Sequence, residues 1–169
     1  MSVVVRREGA ADVTAIHELN VVAFDGRDEE ADLVDALRDA GDLVLSLVAV
    51  DGTRLVGHVA FSRITIETGS GPEGGIALAP VGVLPPRQGF GIGRRLIETG
   101  LDELRRQGES VVVVVGNPAY YTRFGFSTEL GEDYPCVYSG SSYMALHLST
   151  SEHVPAGAVR YPDAFGLVS

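Results

Sequence analysis

Apolar positions along the chain change their spacing from one stretch to the next, and each spacing predicts an element. Val3–Val5 is a short apolar run that predicts an edge strand. Behind Asp12, a residue type that caps helix starts, Val13, Ile16, Leu19 and Val22 recur at helical spacing. Phe24-Asp25-Gly26 breaks that helix, and Glu29–Ala40, with Leu33 and Leu37 on one face and Gly41 behind it, predicts a second. Stretches rich in β-formers, Leu43–Val50 and Leu55 to about Ile66, flank Asp51-Gly52 in the pattern of a hairpin. Thr68–Gly75, rich in Gly, Ser and Pro, predicts a loop. Ile76–Leu84 predicts the next strand, interrupted by Pro80, which lacks a ladder donor and so marks a bulge or an unpaired side.

Beyond Gly89–Gly93, an apolar stripe of Ile92, Leu96, Ile97, Leu101 and Leu104 predicts a helix ending near Gly108. The five valines Val111–Val115 do not alternate with polar residues, as expected of a strand buried on both faces. A short helix around Tyr120–Phe124, a return to strand from Phe126, a last strand over Tyr143–Leu148 and an irregular tail from about residue 149 complete the pattern. One helix between two strands implies a parallel crossover, while the hairpin requires antiparallel pairs. The expectation is a mixed-sheet α/β (or α+β) fold in a single domain over 1–169.

Charge narrows the function classes. Thirteen Lys+Arg against 23 Asp+Glu give a net charge of −10, which repels phosphate backbones and argues against a nucleic-acid groove. All thirteen cations are arginine, so a P-loop lysine or a Schiff-base lysine cannot exist here. Cys136 is the only cysteine, which excludes an intramolecular disulfide and a structural zinc held by a cysteine cluster. The histidines are scattered, and no metal site is expected. Val3–Val5, stopped by Arg6 and Arg7, is too short for a signal sequence, and no apolar stretch approaches a membrane span. A cytoplasmic address with no membrane partner is expected.

The stretch richest in chemistry is Val83-Leu84-Pro85-Pro86-Arg87-Gln88-Gly89-Phe90-Gly91-Ile92-Gly93-Arg94-Arg95. A strand ends, glycines follow, and an amphipathic helix begins. Glycines let backbone approach a ligand closely, and the first N–H groups of a helix are unpaired at the positive end of its dipole. The combination makes a phosphate socket, with Arg87, Arg94 and Arg95 available at its rim. Tight strand–helix packing alone would also use glycines. A dinucleotide fold fits poorly, because the spacing is G-x-G-x-G and two prolines separate the strand from the glycines.

Gln88-Gly89-Phe90-Gly91-Ile92-Gly93 resembles the Q/R-x-x-G-x-G/A pyrophosphate motif of the GNAT (GCN5-related) N-acetyltransferases, and Val81-Gly82-Val83-Leu84-Pro85 resembles the strand end that leads into it. Downstream, Gly116-Asn117-Pro118-Ala119-Tyr120-Tyr121-Thr122-Arg123-Phe124-Gly125-Phe126 is similar to a segment of one bacterial GNAT subgroup. The order of elements agrees from about Val3 to Leu148. The resemblance implies a mostly antiparallel mixed sheet flanked by helices, in which one parallel strand pair splays to admit the pantetheine arm of acetyl-CoA. It implies that Val81 and Val83 offer backbone groups to pantetheine, and that Gln88, Gly89, Gly91, Gly93 and Arg94 offer backbone N–H groups to the pyrophosphate.

The resemblance further implies direct attack of an amine on the thioester, with the amide of Val83 or a neighbour receiving the oxyanion and Tyr121 as general acid. It places Asn117 against pantetheine or an ordered water, although Asn-Pro is equally a turn starter. Activation of the amine is left open. His58, inside an apolar strand beside the expected acceptor cleft, is a candidate base or a satisfied core residue. Glu30, with Glu29, is a candidate for holding a cationic acceptor or one of an acidic pair facing solvent at a helix start. Cys136 has no histidine motif beside it and reads as buried and inert. Tyr161-Pro162-Asp163-Ala164-Phe165 resembles the aromatic end of the same subgroup, to cover the acceptor side or an interface. The expected partner is a small-molecule or peptide amine, a homodimer being one assembly open to the chain. A non-catalytic acyl-CoA-binding module of the same fold is the alternative reading.

Overall fold

β1 (Val3–Arg7) is the edge strand, paired antiparallel with β2 (Leu43–Asp51), and its Val4 side chain faces solvent. The computed structural model describes residues 2–149 and 153–168. Between β1 and β2 stand α1 (Val13–Ala23) and α2 (Glu29–Asp39), where helical spacing predicts them. Asp12 precedes α1 without capping it. Its carboxylate is already taken by Arg6 at 2.7 and 3.1 Å and by the Gly9 N–H at 2.6 Å.

β2 turns at Gly52 into β3 (Arg54–Thr68), which turns almost at once into β4 (Gly71–Val83). The loop expected over 68–75 therefore shrinks to two residues. Thr68 Oγ1 donates to the Gly71 carbonyl at 2.6 Å and accepts the Ser70 N–H at 3.2 Å, closing the turn at the strand ends themselves. Then follow α3 (Ile92–Arg106), β5 (Val111–Val115), α4 (Pro118–Tyr121), α5 (Thr128–Gly131), β6 (Tyr143–His147) and β7 (Ala158–Arg160).

Two further expectations are corrected. The strand expected from Phe126 reduces to a single bridge between Ser127 and Ala145, because the Ser127 hydroxyl accepts the Leu130 N–H at 3.1 Å and starts α5 instead. The tail is not irregular throughout: β7 pairs antiparallel with Thr65–Glu67 of β3, and a 3-10 helix over Asp163–Val168 packs on α2.

Neighbouring residues of β3 show how the layers divide, since successive strand side chains point to opposite faces. A Cβ on Gly57 would meet Ile92 of α3 at 2.9 Å, while His58 bonds Asn20 of α1. So α3 covers one face, and α1 covers the other with α2. α3 lies close because Gly100 has no side chain; a Cβ there would stand 2.3 Å from the Phe61 ring. Of the five valines, Val112 and Val114 pack in the cluster with α3, and Val111 and Val113 pack with Leu33 and Leu37 of α2. Only Val115, at the end of β5, is exposed.

The sheet runs β1-β2-β3-β4-β5-β6, and its one parallel contact is the pair β4–β5. That contact is short: Ile76, Ala77 and Leu78 lie opposite Val112, Val113 and Val114, and then the strands part. The register between β3 and β4 shifts between Val59 and Phe61, opposite Ala79 and Pro80, so the proline lies in a bulge. Past the bulge β4 stays with β3 and leaves β5, opening a gap through the sheet.

Candidate functional site

Backbone direction at the end of β4 decides what faces that gap. The Leu84 N–H donates to the Val56 carbonyl across to β3 at 3.0 Å. Peptide groups alternate along a strand, so those of Gly82 also face β3 and those of Val81 and Val83 face the gap, where β5 no longer pairs. The Val83 carbonyl is engaged there by the Gln88 side-chain amide at 3.0 Å, which ties the glycine turn to the strand end.

The turn carries two glycines in the left-handed region, Gly89 at φ 83° and Gly91 at φ 82°. A Cβ on either would meet nothing within 4 Å, so both face open space. Gly91 caps α3; the first helical bond runs from the Arg95 N–H to the Gly91 carbonyl, which leaves the N–H groups of Ile92, Gly93 and Arg94 without an intrahelical partner. These groups face a cleft of about 440 Å³ bordered by Val83, Arg87, Arg94, Tyr120 and Arg123. Gly93 is confined, since a Cβ there would stand 3.3 Å from the Tyr120 hydroxyl.

Of the three expected rim arginines, Arg87 and Arg94 border the cleft, with Asp51 at 2.6 Å from Arg87 and Glu98 at 2.6 Å from Arg94. Arg95 turns away to the Val3 carbonyl of β1. The third cleft cation is Arg123, which lies 5.0 Å from the centroid of the Tyr120 ring. Arg123 and Tyr120 carry no local signal for the cleft, although both lie in the Gly116–Phe126 segment; their place in it depends on α4 folding back toward α3. Three arginines and a helix start thus gather in one cleft of a chain with net charge −10.

Tyr121 meets Tyr120 edge to face, ring centroids 5.1 Å apart, and is buried. Its ring packs in the core with Phe126, centroids 5.9 Å apart, and against the chain at the end of β5, where a Cβ on Gly116 would lie 2.3 Å from the ring. Burial pushes its phenol up to about 12, so it is protonated at neutral pH. Asn117 accepts the Ala119 N–H at 3.0 Å and caps α4, so its side-chain oxygen is spent on the turn and its amide N–H groups are what it can offer a ligand.

His58 does not face an acceptor cleft. It is fully buried, with Nδ1 at 3.1 Å from the Asn20 amide nitrogen and Nε2 at 2.8 Å from Ser46 Oγ. Since the Asn20 amide donates to Nδ1, the ring proton sits on Nε2 and goes to Ser46. Ser46 in turn bonds Glu8, whose carboxylate takes both arms of Arg38 at 2.9 Å. Burial alone would raise Glu8, but the bonds from Arg38 and Ser46 outweigh it and hold the carboxyl below its usual range.

Burial lowers the His58 pKa to about 4, so the ring is neutral. An unfolded histidine titrates near 6.5. Between those values the unfolded chain takes up a proton that the folded chain refuses, so His58 removes stability as pH falls from about 6.5 to about 4, by about 3 kcal/mol in all. Urea midpoints of wild type and His58→Gln across that window check this. Wild type is expected to lose stability with the steeper slope, and equal slopes would show that His58 is not the group responsible.

Glu30 stands in the first turn of α2, with Arg27 at 3.8 Å from one carboxylate oxygen. Its other oxygen is shielded from solvent and has no partner among the described residues. Glu29 is exposed. Donor atoms of His17, Asp32 and Asp35 come within 4.8 Å of one another. His17 and Asp35 already bond each other at 2.7 Å, and Arg38 approaches Asp35 at 3.1 Å, a positive charge that opposes a cation there. Cys136 is half-buried and accepts the Tyr138 N–H at 3.3 Å. No helix among the described residues is long and apolar enough to cross a membrane.

A helix start aimed at a cleft beside a splayed parallel pair is the arrangement that the resemblance implies, and comparison with known proteins identifies the class. Residues 4–128 match the family described as the acetyltransferase (GNAT) domain. The chain is 39% identical over 131 residues to an Escherichia coli protein named as uncharacterized N-acetyltransferase YjhQ, covering 76% of this chain and 72% of that one. It is 36% identical over 165 residues to another, uncharacterized N-acetyltransferase YhbS, covering 95% and 97%. The crystal structure of YhbS in complex with CoA superposes with a TM-score of 0.87 at 34% identity, covering 97% of this chain and 92% of that one. A GNAT family acetyltransferase from Brucella melitensis, in complex with acetyl-CoA, superposes at 0.81 with 36% identity, covering 97% and 98%. This chain belongs to the GNAT acetyltransferase family.

Proposed function

We propose that the protein transfers the acetyl group of acetyl-CoA to an amine by direct attack. The observation that carries this reading is the junction of two features: the gap between β4 and β5, and the start of α3 with its arginine-bordered cleft. The pyrophosphate lies on the amides of Gly89, Gly91, Gly93 and Arg94; the Gln88 N–H, expected among them, is spent on the Pro85 carbonyl at 3.3 Å, so Gln88 instead holds the turn to β4, and pantetheine runs along Val81 and Val83. The YhbS and Brucella structures, which hold CoA and acetyl-CoA, support the choice of cofactor.

In the transfer, the lone pair of the uncharged amine attacks the thioester carbonyl carbon. A C–N bond forms, the C–S bond breaks, and the amine gives up a proton to solvent or a base. The amide of Val83 or a neighbour receives the oxyanion, and the protonated Tyr121 supplies the proton that leaves CoA as a thiol. Asn117 assists through its amide N–H groups. Glu30, in the acidic first turn of α2, adds negative charge that favours a cationic acceptor. His58, neutral and enclosed, braces α1 against the sheet.

Melting curves test the cofactor assignment. Acetyl-CoA at a hundred times its dissociation constant should stabilise the fold by about 2.7 kcal/mol, a shift of roughly 5–10 °C for a chain of this size. NADH is expected to do far less, and a larger response to NADH would overturn the assignment. Thiol release with a panel of amines then separates an enzyme from a CoA-binding module.

A further inference from the structure

The face of the sheet opposite the cofactor cleft holds a second cavity, of about 570 Å³, walled by Val137, Tyr138, Tyr161, Pro162 and Phe165 with Asp163 beside them. Its rings meet edge to face: Tyr138 and Tyr161 are 4.8 Å apart between centroids, and Tyr161 and Phe165 are 4.9 Å apart. Phe165 packs with Ala77, Val113 and Leu33, which lie on the α2 side of the sheet. Ala79, the first β4 residue past the last β4–β5 pair, packs on that same cluster, as do Tyr138 and Tyr161. Ala79 and the aromatic wall therefore share one apolar cluster on the face of the sheet away from the arginine-bordered cleft.

Size and chemistry select the occupant. A cavity of several hundred cubic ångströms suits a small molecule. Aromatic walls attract both another ring and a cation, and the arginine at this cavity, Arg160, has its charge offset by Glu67 at 2.8 Å. With the chain at net −10, nothing here repels a protonated amine. We infer that this cavity receives the body of the acceptor, and that the acceptor is a primary amine on an aromatic body, an arylalkylamine, whose nitrogen reaches through the gap to the thioester. The inference rests on the acetyltransferase reading above and adds the substrate class.

The test uses the full chain with saturating acetyl-CoA and follows thiol release. Phenethylamine, tyramine and tryptamine are compared with putrescine, spermidine and a lysine-containing peptide. Arylalkylamines are expected to have kcat/KM at least about tenfold higher than the others, the scale on which an apolar pocket discriminates. Val137, 89% exposed, can be changed without disturbing the core. Val137→Arg is expected to raise the arylalkylamine KM about tenfold by filling the cavity with a like charge, and to leave the KM for acetyl-CoA unchanged. Equal or better turnover of putrescine or the peptide overturns the inference, as does indifference of arylalkylamine KM to Val137→Arg, and either result leaves the acetyltransferase reading standing. Absence of thiol release with every amine removes that reading as well.

Discussion

Tyr121→Phe is expected to lower kcat by roughly 10²-fold or more while leaving acetyl-CoA affinity unchanged, the loss typical of a positioned proton donor. The substitution keeps the ring, which packs against Phe126 and the chain at Gly116, and removes only the hydroxyl. Stability should therefore change by about 1 kcal/mol or less. A phenol near 12 also predicts that ionisation of Tyr121 limits the rate only at strongly alkaline pH, so a neutral-range limb of the pH–rate profile belongs to the acceptor amine or its base. The measurement is thiol release with saturating acetyl-CoA and a working acceptor. A folded variant with near-wild-type kcat would remove Tyr121 from the chemistry and leave a water bonded to the Asn117 amide as the donor to examine.

For Gly91→Val the expected loss is in cofactor binding, and the structure supplies its control. Gly91 sits at φ 82°, where a β-branched residue is strained by roughly 1–3 kcal/mol, so the variant loses stability whatever the turn binds. Gly108, past the end of α3, has φ 85° and equally open space around it, but lies outside the cleft. Gly91→Val and Gly108→Val should therefore lose similar amounts in melting temperature. Only the first places a branched side chain over the amides that would take the pyrophosphate, and its CoA dissociation constant should rise by roughly a hundredfold, the equivalent of about 3 kcal/mol. Isothermal titration of both variants decides it; equal CoA affinity in the two would make the turn a structural device.

Much of this was legible in local pattern. The amphipathic stripe from Ile92 to Leu104 became α3, the valine run became a strand buried on both faces except at Val115, and Pro80 fell in a bulge. The reason is that periodicity, caps and glycines at positive φ act over a few residues. Where several local signals competed, the pattern misled. Ser127 could continue a strand or cap a helix, and it caps α5; Gly, Ser and Pro over 68–75 could make a loop, yet two residues suffice to turn β3 into β4.

The sequence alone therefore determined the order of the elements as far as β5 and the glycine turn that opens α3, because each follows from backbone stereochemistry within a short stretch. Only the tertiary structure decided which side chains stand together. Asn20 meets His58 across 38 positions, which turns a candidate base into a neutral brace. Arg123 reaches the cleft while Arg95 leaves it for β1, and the tail joins β3 and α2 to wall a cavity on the α2 face of the sheet. Such neighbours are set by the packing of distant elements on both faces of one sheet, and no local pattern carries that information.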